Sequence, residues 1–204
     1  MRAPAPRPLL AALLGVALLL GVGVLAVGCD VIDGDDGEIG TGEFRARVTG
    51  DVDSSFGGDA YWSVINNGSG DTFVLLFFDD ELRSNHRDDY AFVALSRQGG
   101  APGVGAFAVA NDEPNPPAFR GQYANLEEAD EPDATGPVLS ATDGVLTVTR
   151  VQSGLINGSF RFDARGLQLP STSAFITGTV QGTFEARYLS PATIGSLNIP
   201  FGLD

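Results

Sequence analysis

Lysine is absent from this 204-residue chain, and cysteine, histidine and tryptophan occur once each. Each shortage removes a class of chemistry. The common nucleophile–base schemes set a histidine, cysteine or lysine beside a serine or cysteine, and only Cys29 and His86 are on offer here. One cysteine permits no disulfide within the chain, and one histidine with one cysteine is too few for a zinc site of His and Cys ligands. Paired carboxylates are the one catalytic device left freely available. Among 26 acids, however, two lying close together say little. The net charge is −14; residues 1–28 hold two arginines and no acid, so the remainder carries −16. Nucleic-acid phosphates would be repelled by such a body, and no nucleic-acid partner is expected. All 12 basic residues are arginine. That usage fits a GC-rich genome and, with the acid excess, suits a high-salt organism in which self-repulsion is screened.

The first 28 residues form a leader. After Arg2 and Arg7 no charge appears until Asp30, and Leu9–Gly28 is an apolar block of 20 residues. As a helix it reaches ~30 Å, the thickness of a bilayer's hydrocarbon core, so an uncleaved single-pass membrane anchor is one reading. Gly15, Gly21, Gly23 and Gly28 lower its helix propensity and cluster where a cleavage site needs extended chain. Ala26-Val27-Gly28 also meets the small-residue pattern of ordinary secretory cleavage. Arginines, an apolar block and then "LAVGC" resemble a bacterial lipoprotein signal with its lipobox, with Ala26 standing where the family usually has leucine. The resemblance implies cleavage between Gly28 and Cys29, diacylglycerol on the Cys29 sulfur and a further acyl chain on its amino group. A sole cysteine at that place favours the lipid, and two or three acyl chains hold a domain on a membrane where one is marginal.

Residues 29–42, "CDVIDGDDGEIGTG", read as an acidic flexible tether. The acids lack EF-hand spacing and flanking helices, so calcium is a minor alternative. Acids directly after a lipobox resemble the surface-export signal of Bacteroidota lipoproteins, whereas an aspartate at Asp30 resembles the inner-membrane retention signal of proteobacteria. Export to a cell-envelope membrane is expected, the outer membrane or cell surface favoured over the inner membrane.

Residues 43–204 read as a single all-β domain whose periodicity is two. In "AFITGTVQGTFEARYL", Ile176, Gly178, Val180, Gly182, Phe184, Ala186 and Tyr188 share one face and the polar residues the other. "LINGSFRFDARG" sets Ile156, Phe160, Phe162 and Ala164 against Ser159, Arg161, Asp163 and Arg165, with "GVLTVTRV" before it and "QSG" as a three-residue turn. Further strands are expected at 43–49, 59–66, 72–78, 90–97, 104–110 and 119–125, with "INNGSGD" as a hairpin turn. Residues 110–137 hold five prolines and seven acids against one arginine and read as a long acidic loop. The echo "GEFRAR", "GSFRFDAR" and "GTFEAR" reads as three strands of one sheet meeting the same burial demand. The expected fold is an antiparallel β-sandwich or flattened β-barrel of about eight to ten strands, with little or no helix after the leader. This pattern resembles β-rich lipoprotein domains of unknown function in Bacteroidota, and the resemblance implies a fold and no mechanism.

Candidate ligand-facing residues are few. His86 lies among Asp79, Asp80, Asp88 and Asp89, a metal or base arrangement if they converge, otherwise a polar loop. In "DAYWSVIN" alternation directs Trp62 to the core and Tyr61 outward. "NGS" at Asn67 and Asn157 reads as turns. No catalytic residue, metal site or cofactor is expected. The expected function is a non-catalytic binding or structural module of the envelope, with an unknown small-molecule, glycan or protein ligand and the membrane as partner through Cys29. The alternatives are a carrier whose barrel holds an apolar ligand in room left by Gly178 and Gly182, and a carboxylate-based hydrolase.

Overall fold

The computed structural model describes residues 39–66, 68, 70–79, 89–111, 118–127, 134–171 and 175–196. The chain divides into units Met1–Gly37 and Glu38–Asp204, and the second carries all the elements below. Nine strands follow in order: β1 (Glu43–Gly50), β2 (Ser54–Asn66), β3 (Asp71–Asp79), β4 (Tyr90–Gln98), β5 (Gly105–Ala108), β6 (Arg120–Leu126), β7 (Gly136–Gln152), β8 (Leu155–Leu169) and β9 (Phe175–Tyr188). A six-residue helix, α1 (Pro191–Ser196), comes last. Every strand expected from the alternation forms, with boundaries shifted by up to five residues, except that β7 starts at Gly136, eight residues ahead of "GVLTVTRV".

Eight strands close into a barrel in the order β1-β2-β3-β4-β6-β7-β8-β9, and β9 pairs antiparallel with β1 from Phe44↔Phe184 to Gly50↔Gly178. Apart from β4 and β6, between which β5 intervenes in the chain, neighbours in the wall are neighbours in sequence, so this is an up-and-down meander, and an even strand number lets the first and last meet antiparallel. Of the two expected architectures the barrel forms. β5 is the extra strand, paired to the Val145–Val148 stretch of β7 beyond the reach of β6.

Residues 110–137 are not one loop. β6 runs through them and spans β4 and β7, because Gly121, Tyr123 and Ala124 are buried wall residues in the midst of prolines and acids. The "QSG" connection is also tighter than expected. Gln152 pairs with Leu155, leaving a two-residue turn at Ser153 and Gly154, both with positive φ, 32° and 87°. Such a turn matches the twist of the strands it joins.

The interior is apolar and aromatic. The Phe77 ring lies 5.4 Å from Phe44, 5.0 Å from Phe160 and 5.1 Å from Phe184. Phe73 meets Phe119 edge-on at 6.0 Å, and Val48, Leu75, Leu95, Leu139, Leu146 and Val180 fill the gaps. β1, β8 and β9, which carry the three echoed segments, are adjacent in the wall, and Phe44, Phe160 and Phe184 all point inward. A second apolar cluster lies outside the barrel on β3, β4 and β6: Val74, Leu76, Phe78, Phe92, Ala94, Ala124 and Leu126. Ile194 of α1 seats on it. The helix is started by Ser190, whose Oγ accepts from the Thr193 N–H at 3.2 Å, with Pro191 at its first position.

Candidate functional site

β1 is eight residues long, whereas β2 and β9 have 13 and 14. Ahead of Glu43 the first strand no longer separates its neighbours, and β2 and β9 meet directly in a short parallel pairing, Tyr61↔Arg187 and Trp62↔Tyr188. At that seam the chain that precedes the barrel joins its wall. The Gly42 N–H donates to the Glu185 carbonyl at 2.8 Å and the Ala60 N–H to the Gly42 carbonyl at 2.7 Å. The Gly40 N–H donates to Glu43 Oε2 at 2.9 Å and the Glu43 N–H to the Gly40 carbonyl at 3.1 Å. Gly42 has φ +83°, and any Cβ there would stand 2.8 Å from Cδ of Arg187. Conformation and space both require glycine.

Directly beside this exit lies a polar group on the outer wall. Odd residues of β2 face outward, which sets Asp59, Tyr61, Ser63 and Ile65 in a column. Tyr61 Oη donates to Asp59 Oδ2 at 3.0 Å and accepts from Nη2 of Arg187 at 2.8 Å. The same Nη2 is 3.8 Å from Asp59 Oδ1, and the guanidinium carbon is 4.9 Å from the Tyr61 ring centroid. Asp59 is buried, whereas the Arg187 side chain is 46% exposed. A buried carboxylate with a cation and a phenol donor is compensated, and the stacked guanidinium shields the phenol. The sequence expectation of an outward Tyr61 holds. The tyrosine is half-buried and its hydroxyl is already engaged on both sides. Asp59 and Arg187 are the partners that sequence reasoning did not single out. The available signal was the outward phase of Arg187 in "GTFEAR".

Two carboxylates near the seams are held below the ordinary range. Glu185 is lowered first by a hydrogen bond from the Thr41 side chain and then by one from Asn157. Asp51 is lowered by the Thr177 backbone N–H, 2.8 Å from Oδ2, and by the Thr177 hydroxyl at 3.0 Å. Both shifts run opposite to the raised value that a general acid requires. Inside the barrel, burial pushes the Tyr123 hydroxyl up, and the Ser54 and Asn125 side chains offset only part of it.

The other candidates are distributed as follows. Cys29, Gly28, His86, Asp80 and Asp88 lie outside the described residues. Asp79 Oδ2 accepts the Ala91 N–H at 2.7 Å and ties the bases of β3 and β4. Among the described residues no group of three or more His, Cys, Asp or Glu side chains is placed to hold a metal. Trp62 faces the core: its ring lies 6.1 Å from Phe73 and 4.9 Å from Tyr188, and its N–H donates to the Gly154 carbonyl at 2.9 Å. The space beside the inward glycines is occupied by protein. A Cβ at Gly182 would be 2.6 Å from Cζ of Phe160, and one at Gly178 would be 3.5 Å from Val48 and 3.6 Å from Leu139. The polarity of the β1, β8 and β9 wall, apolar inside and polar outside, is the reverse of a lipid-spanning barrel. Against family models, curated proteins and solved structures, the chain matches none.

Proposed function

We propose that this chain is an exported bacterial lipoprotein, held on a cell-envelope membrane by acyl chains on Cys29, and that its barrel is a non-catalytic binding or structural module. The outer membrane or cell surface is the favoured location. One observation carries the reading: the only thiol of the chain sits between a 20-residue apolar block and an acidic spacer. The fold supports it in two ways. The barrel is filled by rings and needs no disulfide, and its first strand begins at Glu43, directly after the spacer. A chain the length of residues 29–39, ahead of those bonded to the wall, reaches about 36–40 Å when extended and averages ~18 Å as a coil, enough to hold a barrel clear of a bilayer. The engaged polar groups at the β2–β9 seam support a structural duty there rather than turnover.

Mass spectrometry of the membrane-extracted protein tests the anchor. The expected product starts at Cys29 and carries acyl chains. An intact Met1 would replace this reading with a retained membrane span, and an unacylated new N-terminus would replace it with ordinary secretion.

A further inference from the structure

The mouth of the barrel beside the start of β1 has an apolar rim. Trp62 pairs with Leu75 and Val64 with Phe73, so both follow the inward phase. Tyr188 stands opposite Trp62 in the β2–β9 pairing, the two rings 4.9 Å apart. Val151 pairs with the inward Ile156 where β7 and β8 end. The turn between those strands is fastened to the same place, because the Gly154 carbonyl accepts from the Trp62 ring N–H at 2.9 Å and from the Tyr188 N–H at 2.8 Å. The rim is not sealed: Tyr188 is 50% and Val151 46% exposed, and Trp62 and Val64 are only partly buried. Aromatic rings with a polar tip beside aliphatic side chains are the composition that settles between lipid headgroups and acyl chains.

The path of the chain selects the occupant. Gly42 bonds to Glu185 of β9 and to Ala60 of β2, three residues from Tyr188 and two from Trp62. The segment that leads back to Cys29 therefore leaves the wall at this mouth, while β1 runs from Glu43 towards the other end. Residues 29–39 span about 36–40 Å at most, and a link of that length holds the mouth at an effective concentration of about millimolar against the surface that carries Cys29, so a weak contact suffices. Charge orients the body in the same sense. At the rim the cations are matched, with Arg187 3.8 Å from Asp59 and Arg150 acting on Glu185. Asp51, Asp53, Asp89 and Glu127 lie at the opposite end, in or beside the connections there, where an anionic headgroup layer would repel them. We infer that the rim of Trp62, Val64, Val151 and Tyr188 rests on the bilayer that holds Cys29, with Tyr188 and Val151 entering the headgroup layer, so that the barrel stands on this mouth and turns its acidic end away. The inference rests on the lipid-anchor reading and names the surface that meets the lipid.

Trp62 is the only tryptophan of the chain, so its fluorescence reports on this rim alone. The test takes the full membrane-extracted chain, with the state of Cys29 read by mass spectrometry. It is reconstituted into vesicles of phosphatidylcholine with a minority of phosphatidylglycerol, either plain or brominated on the acyl chains. Bromine quenches tryptophan at short range, and the expected result is quenching of Trp62 in the brominated vesicles relative to the plain ones. Val151→Asp sets a charge on the rim without touching the ring pair and should abolish most of the quenching. Val145→Asp, on the exposed wall away from the rim, should leave it unchanged. Tyr188→Ser serves as the second variant if Val151→Asp fails to fold, and it too should lose quenching. Equal quenching in rim and wall variants would show lipid reaching Trp62 without the rim and overturn the proposal. An unquenched Trp62 in a chain acylated at Cys29 would remove this surface and leave the lipoprotein reading standing, whereas a chain without acyl groups would remove both.

Discussion

At the scale of single residues, much turns on groups that cannot be changed without a local cost. Gly182 is one. Its missing Cβ admits the Phe160 ring, and the Arg45 carbonyl is equally close at 2.6 Å, so Gly182→Ala must push apart β1 and the central rings. The expected loss is ~1–3 kcal/mol in urea unfolding, the usual effect of overpacking. An unchanged midpoint would mean that the interior has slack there, which would revive the carrier alternative. Ser63 is the opposite case. It is fully buried on the outer face of β2, and its hydroxyl has no hydrogen-bond partner among the described residues. Removing a buried hydroxyl without a partner leaves nothing orphaned, so Ser63→Ala should be neutral or stabilise by up to ~1 kcal/mol. A clear loss in the same unfolding assay would reveal a partner for the hydroxyl.

At the scale of elements, the seams where β9 meets its neighbours are tied by carboxylates. Asp51 in the β1–β2 turn takes two bonds from Thr177 of β9, and Glu185 of β9 takes bonds from Thr41 and Asn157. Both carboxyls are lowered on folding. Their contribution is therefore full above the unfolded values of 3.8 and 4.5 and is lost as pH falls through the lower folded values. The urea midpoint is expected to fall on acidification below about pH 4.5. The slope should be shallow, since both groups are well solvated, and Asp51→Asn with Glu185→Gln should flatten it. A midpoint that instead rises on acidification in the unmodified protein would contradict these bonds. The β2–β9 seam shows what alternation alone conveys. Period two in "DAYWSVIN" sent Tyr61 outward and Trp62 inward. Nothing local said that β2 and β9 would meet beyond the start of β1 and bring Arg187 to Tyr61.

At the scale of the whole molecule, the barrel wall has two unlike sides. Over β1, β8 and β9 it is apolar within and charged without, the pattern from which strands were readable. Over β3 and β4 the run from Phe73 to Phe78 is buried on both faces, inside by the aromatic core and outside by the cluster that receives Ile194. Two-sided burial explains why β3 lacks alternation.

The strands and their inward faces were determined by the sequence itself, because hydrophobic alternation is a local property that each segment carries alone. The same holds for the leader, the lone Cys29 and the acidic spacer, which are matters of composition and order. Tertiary structure alone decided barrel over sandwich, since the choice hangs on Phe44 pairing with Phe184 across almost the whole domain. It alone set β6, the strand expected at 119–125, in the wall between β4 and β7. And it alone assembled Asp59, Tyr61 and Arg187, because register between distant strands sets which side chains meet and no short window of sequence contains that register.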